Sequence, residues 1–67
     1  MTCFIQLKVQ YPNNSIVNGT LDVHLGKYRL GAAGKLFSDA DAHKICAKLA
    51  AAKVLNGAKI ISIEVAH

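Results

Sequence analysis

One stretch of the chain carries signals for both ends of a single helix. It begins at Ser38, a suitable N-cap, and Asp41 stands three positions later as in a capping box. It ends at Asn56-Gly57, because glycine favours the left-handed conformation that closes many helices. The sequence therefore predicts one helix over residues 40–55.

Apolar residues recur along this helix at the spacing of one buried face. The residues that share this face are Ala42, Ile45, Cys46, Leu49 and Ala52. Phe37 precedes the N-cap and is placed to pack on the first turn as a hydrophobic staple.

Stretches of alternating apolar residues lie on both sides of the helix. Before it, one face of residues 3–11 consists of Cys3, Ile5, Leu7, Val9 and Tyr11. After it, residues 59–65 place Ile61, Ile63 and Val65 on the inner face and Ile60, Ser62 and Glu64 on the outer face. A period of two is typical of a strand with one buried face, so both stretches are predicted strands.

The start of the second strand has two interpretations. Residues 12–15 carry turn chemistry, but Asn18-Gly19 is itself a hairpin signal. Either the turn lies at 12–15 and Asn18-Gly19 is a bulge, or all of 12–19 is a connection. Both interpretations predict a strand core at 20–25.

A third, short strand is predicted after the second. Gly26-Lys27 forms the turn and Tyr28–Leu30 the strand. The small residues of Gly31–Lys35 then predict a mobile loop. This loop has two residues between its glycines where a phosphate-binding loop has four, and Leu36 follows the lysine, which argues against a nucleotide triphosphate site.

These elements predict one α+β domain over residues 1–67, in the order β-β-β-α-β. The expected fold is a mostly antiparallel four-stranded sheet with one helix packed on one face. A right-handed crossover through the helix would place the last strand parallel to the first, in the strand order 3-2-1-4.

Composition narrows the function classes. The chain has 67 residues, of which 52% are hydrophobic, so some apolar surface is expected to remain for a partner or a second copy to cover. Its net charge of +4 suits nucleic acid or an acidic protein partner. There is no transmembrane run and no signal peptide, so we expect a cytoplasmic protein without a membrane partner.

Two surfaces are candidate binding sites. Nucleic-acid phosphates are expected to contact Lys8, Lys27, Arg29 and Lys35, with Tyr28 stacking on a base. The alternative for the 26–35 region is a solvated turn whose charges protect an edge strand. On the uncovered sheet face, Phe4 and Ile60 are the expected contacts of a protein partner, which could also use a strand edge.

Only a few residues are candidates for catalysis or metal binding. Cys3, His43 and Cys46 are compatible with a metal site or a Cys–His nucleophile pair, but buried inert cysteines are the favoured interpretation. A sheet with one helix offers little cleft for paired carboxylates. The sequence therefore predicts a binding module that is not an enzyme and has no cofactor or metal.

Three short segments resemble plant AP2-type DNA-binding domains in outline. They are Leu30-Gly31, Phe37-Ser38-Asp39-Ala40-Asp41-Ala42 and Asn56-Gly57. The resemblance implies three strands, a helix and DNA as the partner, although most of that family's DNA-reading arginine and aromatic residues are absent here. In size and build the chain is also similar to phage-encoded inhibitors, including anti-CRISPR proteins, which implies a protein partner.

Overall fold

The computed structural model describes residues 1–31 and 34–67. The elements are β1 (Thr2–Gln10), β2 (Ile16–His24), β3 (Lys27–Gly31), β4 (Phe37–Ser38), α1 (Asp39–Ala52), β5 (Val54–Leu55) and β6 (Ala58–Ala66). Ala32 and Ala33, in the predicted loop, lie outside the described residues.

The strands form one antiparallel sheet in the order β3-β2-β1-β6-β5, and β4 pairs with β1 outside this path. The predicted α+β class, with one helix and a mostly antiparallel sheet, is confirmed. The predicted number of four strands is wrong, because β4 and β5 are two-residue strands too short to show an alternating pattern.

The predicted orientation of the last strand is also wrong. β6 runs antiparallel to β1, with Ala66 opposite Phe4 and Lys59 opposite Gln10. The order of the four long strands nevertheless agrees with the prediction, since β6 lies beside β1.

The orientation follows from where the helix begins. β4 brings the chain back to the start of β1, with Phe37 opposite Cys3, and the Asp39 N–H donates to the Met1 carbonyl at 3.1 Å. At the far end, the Ile60 N–H donates to the Lys53 carbonyl at 2.9 Å. The helix therefore runs in the same direction as β1, and β6 runs back in the opposite direction.

The segment before β4 fills a gap in the sheet. The ladder between β1 and β2 ends at Thr20, and the Lys35 N–H then donates to the Leu21 carbonyl at 3.1 Å. Gly34 has a φ of +69°, and a Cβ placed there would lie 2.8 Å from the Cβ of Thr20. Only glycine fits this close approach without displacing its neighbour.

The predicted helix start is correct, and the predicted end is wrong. The Ser38 hydroxyl accepts from the Asp41 N–H at 3.2 Å, as a capping residue does. The helix ends at Ala52, and Lys53, at φ +65°, donates its N–H to the Leu49 carbonyl.

Asn56-Gly57 has a different role from the predicted one. Both residues have positive φ, at +49° and +83°, and they join Leu55 to Ala58 across a two-residue hairpin turn. Asn56 also donates from its side-chain amide to the Tyr28 carbonyl at 2.9 Å.

The other Asn-Gly pair is regular strand. Asn18 lies opposite Lys8 and Gly19 opposite Leu7, while the turn lies between Tyr11 and Ser15. The predicted turn at 12–15 is confirmed, and the predicted bulge at Asn18-Gly19 is wrong. A Cβ on Gly19 would meet the Leu30 Cβ at 3.0 Å, which explains a glycine inside the strand.

The turn before β3 also differs by one residue from the prediction. Leu25 and Gly26 have φ of +52° and +75°, so they, and not Gly26-Lys27, occupy the central turn positions. β3 begins directly after them at Lys27.

The core lies between the sheet and the helix. Its buried residues are Cys3, Ile5, Leu7, Val9, Leu21, Phe37, Ala42, Leu49, Leu55 and Ala58. On the predicted buried face of the helix, Ala42 and Leu49 are buried in this core. Ile45 and Cys46 are half-buried, and Ala52 is exposed.

A bulge in β6 reverses part of its predicted pattern. Lys8 lies opposite Ser62, but Val9 lies opposite Ile60, so Ile61 is the extra residue. Ile60 consequently packs against the core, whereas Ile61 is 45% exposed. The prediction that Ile60 faces out and Ile61 faces in is therefore wrong.

Candidate functional site

The sheet face opposite the helix carries an ordered set of polar side chains. Gln6 lies between Thr20 and Glu64. In the next row, Lys8 lies between Asn18 and Ser62. These six residues line a shallow depression of about 410 Å³.

The residues predicted to bind phosphates divide between two surfaces. Lys8 is central on the outer face, and Lys27 and Arg29 lie two strands away on the edge strand β3. Tyr28 and Lys35 instead line a second depression, on the helix side of the sheet.

Two of the predicted phosphate-binding cations already have partners within the chain. The Arg29 guanidinium donates to the Asp22 carboxylate at 3.3 Å. The Lys35 ammonium lies 5.7 Å from the centre of the Phe37 ring. Arg29 therefore presents less free charge than the sequence alone suggests.

The two predicted protein contacts do not share a surface. Ile60 packs against the core because of the bulge at Ile61. Phe4 is half-buried, and its ring lies 3.5 Å from the position of a Cβ on Gly34. Ile60 therefore lies on the helix side of the sheet, and Phe4 lies on the opposite face.

The outer edge of β6 is the second notable surface. β5 pairs with this edge only at Ala58 and Lys59, and no other strand among residues 1–31 and 34–67 pairs with it. Ile61 and Val65 are 45% and 46% exposed there. A groove between this strand and the helix is lined by Leu49, Ala50, Lys53, Ile60, Ile61, Ser62 and Ile63.

A third site lies where β1 begins, the helix begins and β6 ends. The Cys3 thiol, one Asp39 carboxylate oxygen and one His67 ring nitrogen all lie within 4.8 Å of one another. The His67 Nε2 is 3.2 Å from the Asp39 Oδ1. His43 and Cys46 line the same pocket, which has a volume of about 280 Å³.

The surroundings of both thiols in this pocket raise their pKa. Burial raises the pKa of Cys3, and the Asp39 carboxylate raises it further. Burial also raises the pKa of Cys46. Because the thiolate is the nucleophile, this environment does not activate either cysteine for nucleophilic catalysis.

Sequence reasoning singled out Cys3, His43 and Cys46 but missed Asp39 and His67. An aspartate in the first turn of a helix complements the helix dipole, so Asp39 carries no local sign of being a ligand. His67 follows the last strand, and a parallel strand would have carried it to the far end of the sheet. The two-residue pairing of β4 with β1 was the missing information, because it sets the direction of β6.

The fold and surfaces define a small α+β protein with an open strand edge and a polar sheet face. No protein-family model, curated protein or solved structure matched the chain in the comparisons made. No helix in the described ranges combines the length and the apolar character needed to cross a membrane.

Proposed function

We propose that this protein is a small non-enzymatic binding module that recognises a protein partner through the outer edge of β6. The partner would add an extended segment to this edge as a further antiparallel or parallel strand. One observation carries the proposal: β6 continues for several residues beyond the point where β5 stops pairing with it.

The free part of β6 has the size that strand addition requires. It runs from Ile61 to Ala66, and strands of five to six residues are the commonest length in globular proteins, at roughly 17–20 Å. Backbone groups on such an edge supply affinity that does not depend on the partner's sequence.

Side chains beside this edge supply selectivity. Ile61 and Val65 are about half exposed, and the adjoining groove reaches the buried Leu49. Alternate apolar side chains of an added strand would pack on these residues. The partner expected is therefore an extended protein segment with apolar residues at every second position.

A library of short random peptides displayed on phage provides a direct test. Peptides selected by the wild-type protein should share alternating apolar residues, and Ile61→Lys should lower their affinity by about tenfold or more. Ile16→Lys is the matched control, because Ile16 is 57% exposed but lies on β2, away from this edge. Failure to select such peptides, or equal binding by both variants, would reject the proposal.

The cations on the outer face favour nucleic acid as the second candidate partner. Lys8 and Lys59 lie on this face, Lys59 opposite Gln10, and Lys27 and Arg29 border it. The carboxylates of Asp22 and Glu64 offset part of this charge. The surface suits weak contacts with phosphates that do not depend on sequence.

Titration with random-sequence DNA and RNA at low and physiological salt tests this second candidate. Lys8→Gln should weaken binding to all sequences and reduce the slope of log affinity against log salt by about 1. Lys48→Gln, on the exposed side of the helix, should change neither quantity. Binding that is absent at low salt, or is unchanged by Lys8→Gln, would exclude the outer face.

A further inference from the structure

The pocket at the start of β1 gathers side chains from three distant parts of the chain. Cys3 lies near the beginning of β1, Asp39 is the first residue of the helix, and His67 follows β6. Their ligand atoms lie within 4.8 Å of one another although the residues are 28 or more positions apart. Folding alone brings them together.

The distances are close to those of a metal centre. Zinc binds sulfur at about 2.3 Å and nitrogen or oxygen at about 2.0–2.2 Å, so tetrahedral ligand atoms lie roughly 3.5 Å apart. The Asp39 oxygen and the His67 nitrogen are already 3.2 Å apart. The Cys3 sulfur lies within 4.8 Å of both atoms, so Asp39 and His67 must move toward it for all three to bind one ion.

The side chains that must move to bind a metal are the ones exposed to solvent. Cys3 is 1% exposed and fixed within the core. The side chains of Asp39 and His67 are 52% and 54% exposed, so both can rotate toward the sulfur. A cation from solvent reaches the group from this open side.

The donor atoms select the type of metal. One thiolate, one imidazole and one carboxylate suit zinc, whereas magnesium and calcium prefer oxygen ligands throughout. Cys46 and His43 line the same pocket but lie outside this group of three.

We infer that Cys3, Asp39 and His67 form a zinc site with three protein ligands and a fourth position that faces the pocket. On binding, the Cys3 sulfur forms a bond to the metal and its proton passes to water. The Asp39 oxygen and the neutral His67 Nε2 each donate an electron pair to the same ion, with no change in oxidation state. The site joins the starts of β1 and α1 to the end of β6.

Calorimetric titration of the purified full chain with Zn²⁺ tests the site. The wild-type protein should bind one ion per chain, and the midpoint of thermal unfolding should rise with zinc concentration, because the ligands converge only in the folded state. Absence of binding, or no rise in the midpoint, would overturn the inference.

Surface variants identify the ligands without disturbing the core. His67→Gln and Asp39→Asn should each weaken zinc binding by roughly 10- to 100-fold or more. The matched controls are His24→Gln and Asp41→Asn, which change exposed residues of the same types outside the ligand group. Equal losses in the variants and their controls would overturn the assignment.

Cobalt provides a spectroscopic test of the cysteine. Co²⁺ bound by the wild-type protein should show a thiolate-to-cobalt charge-transfer band, which Cys3→Ser should remove and Cys46→Ser should retain. Circular dichroism of each apo variant verifies that it is folded. A band that persists in folded Cys3→Ser, or disappears in Cys46→Ser, would contradict Cys3 as the ligand.

Discussion

The two sides of the sheet end in very different edges. The β3 edge presents Lys27 and Arg29, and the latter forms an ion pair with Asp22 across the strand pair. The β6 edge presents Ile61 and Val65, with the helix alongside it. Lysine and arginine on an edge discourage further pairing, whereas an edge that exposes apolar side chains and has no strand beside it favours it.

This difference indicates which part of a small fold is available for recognition. The helix lies over β1 and β6 and supports that side of the sheet. The β3 side is completed instead by the segment 34–38, which fits between β1 and β2. The open edge therefore lies on the side of the sheet that the helix covers, and a partner docking there would also contact the helix.

The largest loss of stability is expected where the helix packs on the sheet. Leu49 is 5% exposed, so Leu49→Ala should lower the free energy of unfolding by roughly 2–5 kcal/mol. Leu30 on β3 is only half-buried, and Leu30→Ala should cost less, about 1–2 kcal/mol. Urea denaturation of both variants measures how much each side of the sheet contributes to the free energy of unfolding. An equal or larger loss for Leu30→Ala would show that the β3 side is as strongly supported.

The next effect concerns the glycine that completes the β3 side. Gly34→Ala would place a methyl group against the Thr20 side chain in a left-handed conformation, so we expect a loss of about 2–4 kcal/mol. Thermal and urea unfolding provide the measurement.

Gly26→Ala is the control for this substitution. Gly26 has a φ of +75°, but a Cβ there would meet no atom within 4 Å. This variant should lose only the conformational part, about 1–2 kcal/mol. Adding Thr20→Ala to Gly34→Ala should recover part of the loss. Equal losses for the two glycines would refute the close approach between residue 34 and Thr20.

The third prediction concerns the charges that distinguish the β3 edge from the β6 edge. The double variant Lys27→Thr, Arg29→Thr should associate more than the wild-type protein as concentration rises, because β3 would lose its protecting cations. Sedimentation velocity measures the change. Adding Ile61→Lys should not reverse it, since Ile61 lies on the opposite edge. A reversal would locate the association at β6 instead.

The smallest effect is expected for the ion pair itself. The Arg29 side chain is 51% exposed, so Arg29→Gln should change the free energy of unfolding by only about 0.2–1 kcal/mol. Added salt should reduce the difference further. A loss above this range in urea denaturation would mean that the pair, and not the backbone ladder, secures β3.

Local signals in the sequence were sufficient for some elements. The helix start was predicted correctly because the Ser38 cap and Asp41 act within one turn. The inner face of β1 was predicted from its unbroken alternation, and Cys3, Ile5, Leu7 and Val9 are all buried.

Sequence signals that are compatible with two different local structures were not sufficient to predict the fold. Asn-Gly closes helices and also forms hairpin turns, and the choice at Asn56-Gly57 depends on the pairing of only two residues in β5. The bulge at Ile61 leaves no signature in the alternation, yet it exchanges the faces of Ile60 and Ile61. Two of the three residues in the Cys3, Asp39 and His67 group were missed, and the position of His67 depends on the direction of β6.

Amide hydrogen exchange on the free protein at low concentration, resolved by NMR, tests the open edge of β6 most directly. Alternate amides between Ile61 and Ala66 should exchange rapidly, because on the outer edge they have no carbonyl partner, while the amides between them are protected by β1. Uniform strong protection along this segment would contradict the account, because it would mean that the edge is already covered.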